Sequence, residues 1–297
     1  EQPDDMLRDS DIAMHRAKEL GKDRIEIYDN ALHNRLLKRF SLETELRRGI
    51  QRDEFRLHYQ PIISLKTGRI AGLESLLRWY SPDKGVVEPR NFIHALDTSG
   101  LLHSIDIWAL KRACQDAARW QKEFPQDPPI YLAVNVTPKL MYNPELMNIL
   151  DDILTSTGIA PGTLKLEITE QASFGKEDKI LEILNQVTAK NIKFSLDDFG
   201  TGYSTLSYLL QFPIEDLKID QSFTRMMDTN TESYQIIEAI RALTQHMDMN
   251  IVVEGVENKK QLSMVRELGC DYAQGFLFAK GLDLNSILKL LKSKPSW

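Results

Sequence analysis

The sequence predicts an α/β protein whose main part is a closed (β/α)8, TIM-like barrel with an antiparallel first strand. From Asp53 onwards, short segments rich in β-branched and aromatic residues alternate with amphipathic helical stretches, as in parallel α/β folds. Eight such segments occur, and residues 53–297 provide about the 250 residues typical of this barrel. The loop Ser64–Gly68 is too short for a crossover helix, so the first strand should pair with the second as an antiparallel hairpin.

The predicted strands follow one another along the chain and, after the first hairpin, are separated by stretches long enough to hold a helix. They are Phe55–Ile63, Arg69–Arg78, Ile130–Val136, Leu164–Thr169, Ile192–Asp198, Asp216–Asp220, Ile251–Gly255 and Tyr272–Phe278.

The first 52 residues carry too few elements for a domain of their own. A helical spacing of apolar residues runs from Asp4 to Leu20, Arg24–Tyr28 alternates like a strand, and residues 30–52 predict a polar helix. We therefore divide the chain into residues 1–29, an interdomain linker helix at 30–52 and the barrel at 53–297. Because the sequence starts at Glu1 rather than Met, we expect it to be part of a longer protein.

The composition is that of a globular protein and excludes several classes of function. With 42% hydrophobic and 27% charged residues, the chain has neither a transmembrane run nor a signal peptide, which predicts a cytoplasmic protein or the cytoplasmic part of a membrane-anchored one. The net charge of −6 disfavours binding to a nucleic acid polymer. Two distant cysteines, Cys114 and Cys270, cannot build a cysteine zinc site or a disulfide framework.

Polar residues recur near the carboxyl ends of seven of the eight predicted strands. They are Glu74, Asn135, Glu167, Asp197 with Asp198, Lys218, Glu254 and Gln274. Any one of them, taken singly, could be an ordinary solvated residue at a strand end. In a (β/α)8 barrel those ends meet on one face, so the recurrence predicts a single active site there.

The five carboxylates of this set need compensating cations, because like charges at short range cannot all stay ionised. Oxygen ligands, completed by the carbonyl of Asn135, favour Mg²⁺ or Mn²⁺ over zinc. The adjacent pair Asp197 and Asp198 suits two metals, which together activate water against a phosphodiester. Lys218 is then a candidate to hold the attacking water or to neutralise charge at phosphorus, and Arg78 a candidate phosphate fork.

Eight strings now resemble, in order, the EAL-domain cyclic-di-GMP phosphodiesterases of bacteria over about residues 40–293. The strings are Tyr59-Gln-Pro61, Glu74-Ser-Leu-Leu-Arg-Trp79, Asn135-Val-Thr137, Glu167-Ile-Thr-Glu170, Asp197-Asp-Phe-Gly-Thr-Gly-Tyr-Ser204, Leu217-Lys-Ile-Asp220, Val253-Glu-Gly-Val-Glu257 and Gln274-Gly-Phe276. The resemblance implies hydrolysis of cyclic-di-GMP to linear pGpG with two Mg²⁺ or Mn²⁺ ions, and a homodimer formed through the barrel.

The resemblance also implies roles for individual residues. Glu74, Asn135, Glu167 and Asp197 correspond to ligands of the first metal, and Asp197, Asp198 and Glu254 to ligands of the second. Lys218 would contact the catalytic water, and Glu254 is also the candidate proton acceptor. Gln60, Arg78 and Gln274 look like substrate contacts, and Glu170 and Glu257 like residues that support the site. Gly281 stands where the family usually has proline, a change expected to loosen the loop after the last strand.

Leu7–Gly21 resembles the last helix of a GGDEF diguanylate cyclase domain. The resemblance implies that residues 1–29 are a remnant of the end of such a domain, and that the full-length protein carries upstream GGDEF and sensory domains. Two other hypotheses stay open. One is a receptor of the same fold that binds cyclic-di-GMP without cutting it, and the other is an unrelated barrel metalloenzyme such as an aldolase.

Overall fold

The computed structural model describes residues 3–19, 23, 25, 30–169, 177–200 and 211–297. It divides into two compact units, Glu1–Phe55 with Trp79–Leu102 and Arg56–Arg78 with His103–Trp297. Along the described chain the helices are α1 Pro3–Glu19, α2 Asn30–Gln51, α3 Ile93–Thr98, α4 Leu102–Glu123, α5 Pro138–Met141, α6 Leu146–Thr157, α7 Glu177–Thr188, α8 Gln221–Met226, α9 Thr231–His246, α10 Lys259–Glu267 and α11 Leu284–Ser293. The strands are β1 Phe55–Ser64, β2 Ile70–Ser81, β3 Gly85–Val87, β4 Tyr131–Asn135, β5 Leu164–Thr169, β6 Lys193–Phe199, β7 Ile214–Ile219, β8 Asn250–Val253, β9 Tyr272–Gln274 and β10 Leu282–Asp283.

The first unit is centred on three buried aromatic side chains. The Trp79 ring lies 6.3 Å from Phe55 and 6.1 Å from Phe92, centroid to centroid, and Phe55 meets Phe92 edge-on at 5.8 Å. The end of β2 forms an antiparallel pair with β3, in which Trp79 lies opposite Val87. Aromatic contacts of this kind give a small unit much of its buried area.

The second unit is the predicted closed barrel. Within the described residues, eight strands are hydrogen-bonded in the order β1-β9-β8-β7-β6-β5-β4-β2, and a β1–β2 pairing closes the ring. The pairs from β2 round to β9 are parallel, whereas β1 is antiparallel to β9 with Ile62 opposite Gln274. The antiparallel first strand is therefore confirmed.

Both faces of the barrel strands are buried, and the two faces carry different chemistry. On β5, Leu164, Leu166 and Ile168 pack into the main apolar core. Lys165 and Glu167 alternate with them and, although charged, are 3% and 2% exposed. Because successive side chains of a strand point to opposite sides, the apolar set faces the helices and the charged set faces the barrel interior.

The structure adds two short strands to the eight predicted and moves several strand boundaries, the last strand's end by the most. β3 pairs with β2, and β10 pairs with β1. The last barrel strand ends at Gln274, not at the predicted Phe278, because the backbone then bonds to Val256 and turns. The predicted strand Arg24–Tyr28 lies outside the described residues apart from Ile25. In the described part of the chain, no helix combines the length and hydrophobicity that a bilayer span requires.

Candidate active site

The ammonium group of Lys218 lies at the centre of the predicted cluster. Its Nζ atom is 2.9 Å from Glu167 Oε1, 3.0 Å from Asp197 Oδ1 and 2.8 Å from Glu254 Oε1, and 3.6 Å from Glu74 Oε2. The Lys218 side chain is 1% exposed. Residues from five strand ends therefore meet on one face of the barrel, as the sequence predicts.

Asn135 joins two of these carboxylates. Its Nδ2 atom donates to Glu74 Oε1 at 2.9 Å and to Glu167 Oε2 at 3.1 Å. Asn135 is the last residue of β4, which pairs with both β2 and β5, so its amide lies between the two acidic strands. The carboxylates of Glu74 and Glu167 are thereby fixed in orientation.

A chain of amide groups continues from Glu74 to the loop after β9. Gln274 Nε2 donates to Glu74 Oε2 at 2.5 Å and to Gln60 Oε1 at 3.1 Å, and Gln60 Nε2 donates to the carbonyl of Ala279 at 3.1 Å. Gln60 reaches this face because the first strand runs antiparallel: Ile62 lies opposite Gln274, the last residue of β9, and Gln60 precedes Ile62 by two residues. The sequence placed Gln60 and Gln274 in the site without revealing their mutual contact.

A β-bulge allows Asp197 and Asp198, neighbours on one strand, to serve the same site. The β6–β7 register shifts between Leu196 and Phe199, and Asp198 adopts a left-handed φ of 56°. A bulge of this kind re-aims a side chain that would otherwise point to the other face. Asp198 N–H donates to Asp197 Oδ1 at 3.0 Å, and oxygens of Asp197, Asp198 and Glu254 lie within 4.8 Å of one another.

The cluster holds more negative charge than Lys218 offsets. Burial, together with the nearby charges of Glu74 and Asp197, raises the pKa of Glu167 well above its usual value despite the opposing effect of Lys218. Burial likewise raises the pKa of Glu254 to about 8. Burial opposes the charge of Lys218, but Asp197, Glu167 and Glu254 raise its pKa well above the ordinary lysine value. Such crowding of carboxylates is typical of a site that binds cations.

Of the remaining predicted site residues, the structure describes Arg78 and Glu257 but not Glu170. Arg78 Nη1 donates to the carbonyl of Leu77 at 2.8 Å. Glu257 is exposed, and among the described residues none forms an ion pair with its carboxylate. Glu170 lies outside the described residues, so its supporting role stays a prediction. His58, two residues before Gln60, donates from Nδ1 to the carbonyl of Gly281 at 3.0 Å.

The donor set fits a hard divalent cation. Five carboxylates and one amide supply oxygen ligands, of which those of Glu74, Glu167 and Asp197 are buried, and the described residues place no histidine or cysteine in the set. Mg²⁺ and Mn²⁺ prefer such ligands. Asp197, Asp198 and Glu254 form the closest acidic group, and Glu74, Glu167 and Asn135 line the other side of Lys218.

Comparison with known protein families identifies the family to which this barrel belongs. The model of the EAL domain matches residues 43–281. The chain belongs to the EAL domain family. Among curated proteins, the cyclic di-GMP phosphodiesterase NbdA of Pseudomonas aeruginosa is 32% identical over 293 residues, covering 99% of this chain and 37% of NbdA. The cyclic di-GMP phosphodiesterase PdeR of Escherichia coli is 31% identical over 275 residues, covering 93% of this chain and 41% of PdeR. The EAL chain thus spans about two fifths of the length of these relatives.

Solved structures show the same EAL fold. The PaMucR phosphodiesterase in complex with c-di-GMP superposes with a TM-score of 0.80 at 33% identity, covering 83% of this chain and 99% of that one. The EAL enzyme Bd1971 in its cAMP- and cyclic-di-GMP-bound form superposes with a TM-score of 0.84 at 30% identity, covering 96% and 75%. The closed barrel with a reversed first strand is therefore the EAL fold.

Gly281, which stands where the family usually has proline, affects the packing around it and not the backbone conformation. Gly281 does not adopt a left-handed φ, and a Cβ atom there would lie 3.1 Å from Leu76 Cδ1 and 3.5 Å from Arg78 Nη2. The missing side chain therefore leaves room beside the Arg78 guanidinium. The expected loosening of the loop stays a prediction.

Proposed function

We propose that this EAL domain hydrolyses cyclic-di-GMP to linear pGpG with two bound Mg²⁺ or Mn²⁺ ions. The observation that carries the proposal is the buried excess of carboxylates around Lys218, with each predicted metal-ligand position filled. Relatives and solved structures named as cyclic di-GMP phosphodiesterases support it. An aldolase is disfavoured, because Lys218 is held as a cation by three carboxylates and a Schiff base requires a neutral amine.

In this proposal each residue has a defined task. Glu74, Asn135, Glu167, Asp197, Asp198 and Glu254 would hold the metals, which supply a reactive water at neutral pH and offset the charge on the phosphodiester. Lys218 orients the attacking water through its buried ammonium and limits charge repulsion among the carboxylates. Glu254 is also the candidate proton acceptor, because its Oε1 atom lies 2.8 Å from Lys218 Nζ, beside the position proposed for the attacking water.

Substrate contacts come from the rim of the cluster. Gln60 and Gln274 present amides beside Glu74, and the Arg78 guanidinium lies next to Gly281, where it is suited to a phosphate oxygen. The rival proposal, a receptor that binds without cutting, requires a defect in the cluster. Filled ligand positions favour catalysis over that alternative.

The domain organisation, oligomeric state and location of the full-length protein are also part of this proposal. Residues 1–29 would be the end of a GGDEF domain, 30–52 a linker helix and 53–297 the EAL barrel, within a protein that carries further sensory domains. The barrel would form a homodimer in the cytoplasm, or on the cytoplasmic side of a membrane-anchored protein. Its reaction would lower the concentration of the second messenger in bacterial signalling.

The test is the fate of cyclic-di-GMP incubated with the protein and Mg²⁺ or Mn²⁺, followed by chromatography. We expect pGpG that disappears with EDTA and with Glu74→Gln, while Glu123→Gln, an exposed glutamate of α4 paired with Arg119, keeps full activity. Thermal unfolding with and without Mn²⁺ reports metal binding independently of turnover. Tight binding of cyclic-di-GMP without product would establish the receptor instead.

A further inference from the structure

Gln261, in the first turn of α10, is a buried polar residue that the proposed chemistry does not use. It is 3% exposed, although glutamine side chains mostly lie at protein surfaces. A buried amide needs hydrogen-bond partners for both its oxygen and its nitrogen. The partners of Gln261 lie in the segments that follow β7 and β8, the strands that lead to Lys218 and Glu254.

The oxygen of this amide holds the segment that follows β8. Gln261 Oε1 accepts from Glu257 N–H at 2.8 Å and from Asn258 N–H at 3.2 Å. Asn258 Oδ1 in turn accepts from Gln261 N–H at 2.9 Å, which completes a capping box at the start of α10. The two N–H groups that Gln261 holds belong to the stretch of chain that comes directly from Glu254.

The nitrogen of the same amide holds the segment that follows β7. Gln261 Nε2 donates to the Thr224 carbonyl at 3.1 Å, and both residues are buried. Thr224 belongs to α8, which is separated from the end of β7 by Asp220 alone. A capping box uses only the oxygen of the side chain at this position. The bond to Thr224 is therefore not part of helix capping.

The two segments also touch each other directly. Gly255 adopts a left-handed φ of 71°, and a Cβ atom there would lie 2.5 Å from Gln221 Cβ. Glu254 N–H donates to the Ile219 carbonyl at 3.1 Å. A shift of one segment against the other would therefore move Glu254 relative to Lys218, whose Nζ atom is 2.8 Å from Glu254 Oε1.

Glu254 depends on its backbone for its position more than the deeply buried Glu167 does. The side chain of Glu254 is 19% exposed, whereas that of Glu167 is 1% exposed. A side chain at the edge of a site has fewer packed neighbours to restrain it. A displacement of about 1 Å at a reacting group can cost about a hundredfold in rate, so the bonds that fix this backbone matter for the reaction.

We propose that Gln261 is a positioning residue, which ties the segment after β8 to α8 and so holds Glu254 in place as a ligand of the second metal. This inference rests on the proposed function, since it names a residue that acts on the same site. Gln261 acts through the backbone, while the bond-breaking step stays with the carboxylate cluster and Lys218.

Two substitutions separate positioning from helix capping. Gln261→Met removes both sets of bonds, whereas Gln261→Glu keeps an oxygen for the capping box but, when ionised, has no group to donate to the Thr224 carbonyl. We expect both variants to bind one of the two Mn²⁺ ions between about 10- and 100-fold more weakly, and to lose kcat on cyclic-di-GMP to a similar degree. Electron paramagnetic resonance of free Mn²⁺ measures the Kd without turnover. Gln261→Met should lose more stability in urea, because it also loses the cap.

Gln121→Met is the matched control. Gln121 Nε2 donates to the Ile130 carbonyl at 3.0 Å and to Thr163 Oγ1 at 2.8 Å, and these two residues directly precede β4 and β5 at the opposite end of the barrel. Loss of these bonds should lower stability in urea. The Kd for Mn²⁺ and kcat per folded molecule should stay unchanged, because the bonds lie far from the ends of the strands that carry the cluster.

Wild-type values of Kd and kcat in Gln261→Glu would overturn the inference, because they would mean that Gln261 only caps α10. An equal loss of Mn²⁺ affinity in Gln121→Met would also overturn it, since the effect would then be general destabilisation. Wild-type protein that binds Mn²⁺ but leaves cyclic-di-GMP uncut would overturn the proposed function, and the Kd for Mn²⁺ would still decide the inference.

Discussion

Two charged layers lie inside the same barrel, one above the other, and differ in their balance. The upper layer consists of Glu74, Glu167, Asp197, Lys218 and Glu254. The lower layer consists of Lys165, Lys193, Glu215 and Asp216, nearer the amino ends of the strands. β5 and β7 contribute to both, since Lys165 and Asp216 precede Glu167 and Lys218 by two residues.

The lower layer satisfies its own charges. Lys165 contacts Asp216 and lies 2.9 Å from Glu215 Oε1, and Lys193 lies 2.6 Å from Glu215 Oε2. Asn250 donates to Asp216 at 2.8 Å. Two cations thus face two carboxylates, whereas four carboxylates share one ammonium group in the upper layer. The comparison teaches that buried charge alone does not mark a site, and that an excess of one sign does.

The sharpest test of this difference is Glu167→Gln in the upper layer. We expect activity to fall by more than about a hundredfold, because loss of outer contacts to a metal already costs 10- to 100-fold and Glu167 is a proposed direct ligand. Stability without metal should change little, since Lys218 keeps Asp197 and Glu254 as partners. Turnover and urea unfolding of the variant should be measured side by side. A large fall in the free energy of unfolding of Glu167→Gln, with turnover per folded molecule unchanged, would contradict the comparison of the two layers.

The lower layer should respond in the opposite way. Lys165→Met leaves Asp216, whose side chain is 2% exposed, without its cation, and should cost about 3–5 kcal/mol of unfolding free energy. The double variant Lys165→Met/Asp216→Asn should regain most of that loss, because no buried charge is left unpaired. Urea denaturation measures both, and turnover per folded molecule should stay near wild type. A double variant as unstable as the single one would argue against a balanced pair.

A smaller gain is expected from Tyr131→Phe. The hydroxyl of Tyr131 is buried and has no hydrogen-bond partner among the described residues, while Lys165 Nζ lies 4.2 Å from the ring centroid. Removing an unsatisfied hydroxyl and keeping the ring should stabilise the fold by about 1 kcal/mol. Tyr272 is partly exposed and its ring contacts the ring of Tyr131. Tyr272→Phe is therefore the matched control and should change the free energy of unfolding little. A clear loss of stability in Tyr131→Phe would mean that the hydroxyl contributes to the lower layer.

The smallest effect concerns pH at the rim of the upper layer. Burial lowers the pKa of His58 below its ordinary value of 6.5, and the charge of Arg78 acts in the same direction. The neutral form is therefore favoured in the folded state, so its contribution to stability is complete above pH 6.5 and is lost as pH falls through the folded pKa. Comparison of wild type with His58→Asn by thermal unfolding from pH 8 to pH 5 should show the wild type losing its relative stability only below about pH 6.5. If the difference in thermal stability between wild type and His58→Asn did not change with pH, the lowered pKa of His58 would be contradicted.

The upper layer could be predicted from the sequence because the topology makes the prediction simple. In a parallel barrel all carboxyl ends reach one face, so polar residues at the ends of seven strands must meet whatever their separation along the chain. The reversal of β1 followed from a loop of five residues, Ser64–Gly68, and it brings Gln60 to the same face.

Other features depend on contacts that strand patterns do not reveal. Lys165 and Asp216 are 51 residues apart, and each appears in the sequence as one polar position within an apolar strand. The bulge at Asp198 depends on a local register shift, and the early end of β9 depends on hydrogen bonds between residues 274–277 and Val256. Hydrophobic patterns carry no signal for such pairings.

The opposite order of charge on β5 and β7 also bears on how the barrel folds. β5 carries Lys165 then Glu167, whereas β7 carries Asp216 then Lys218. A slip of these strands by two residues would keep the apolar pattern on the correct face, because side chains alternate with a period of two. It would, however, place lysine beside lysine, or carboxylate beside carboxylate, inside a dry interior. Electrostatic repulsion thus destabilises the slipped register of β5 against β7, although hydrophobic packing alone would not distinguish it from the native one.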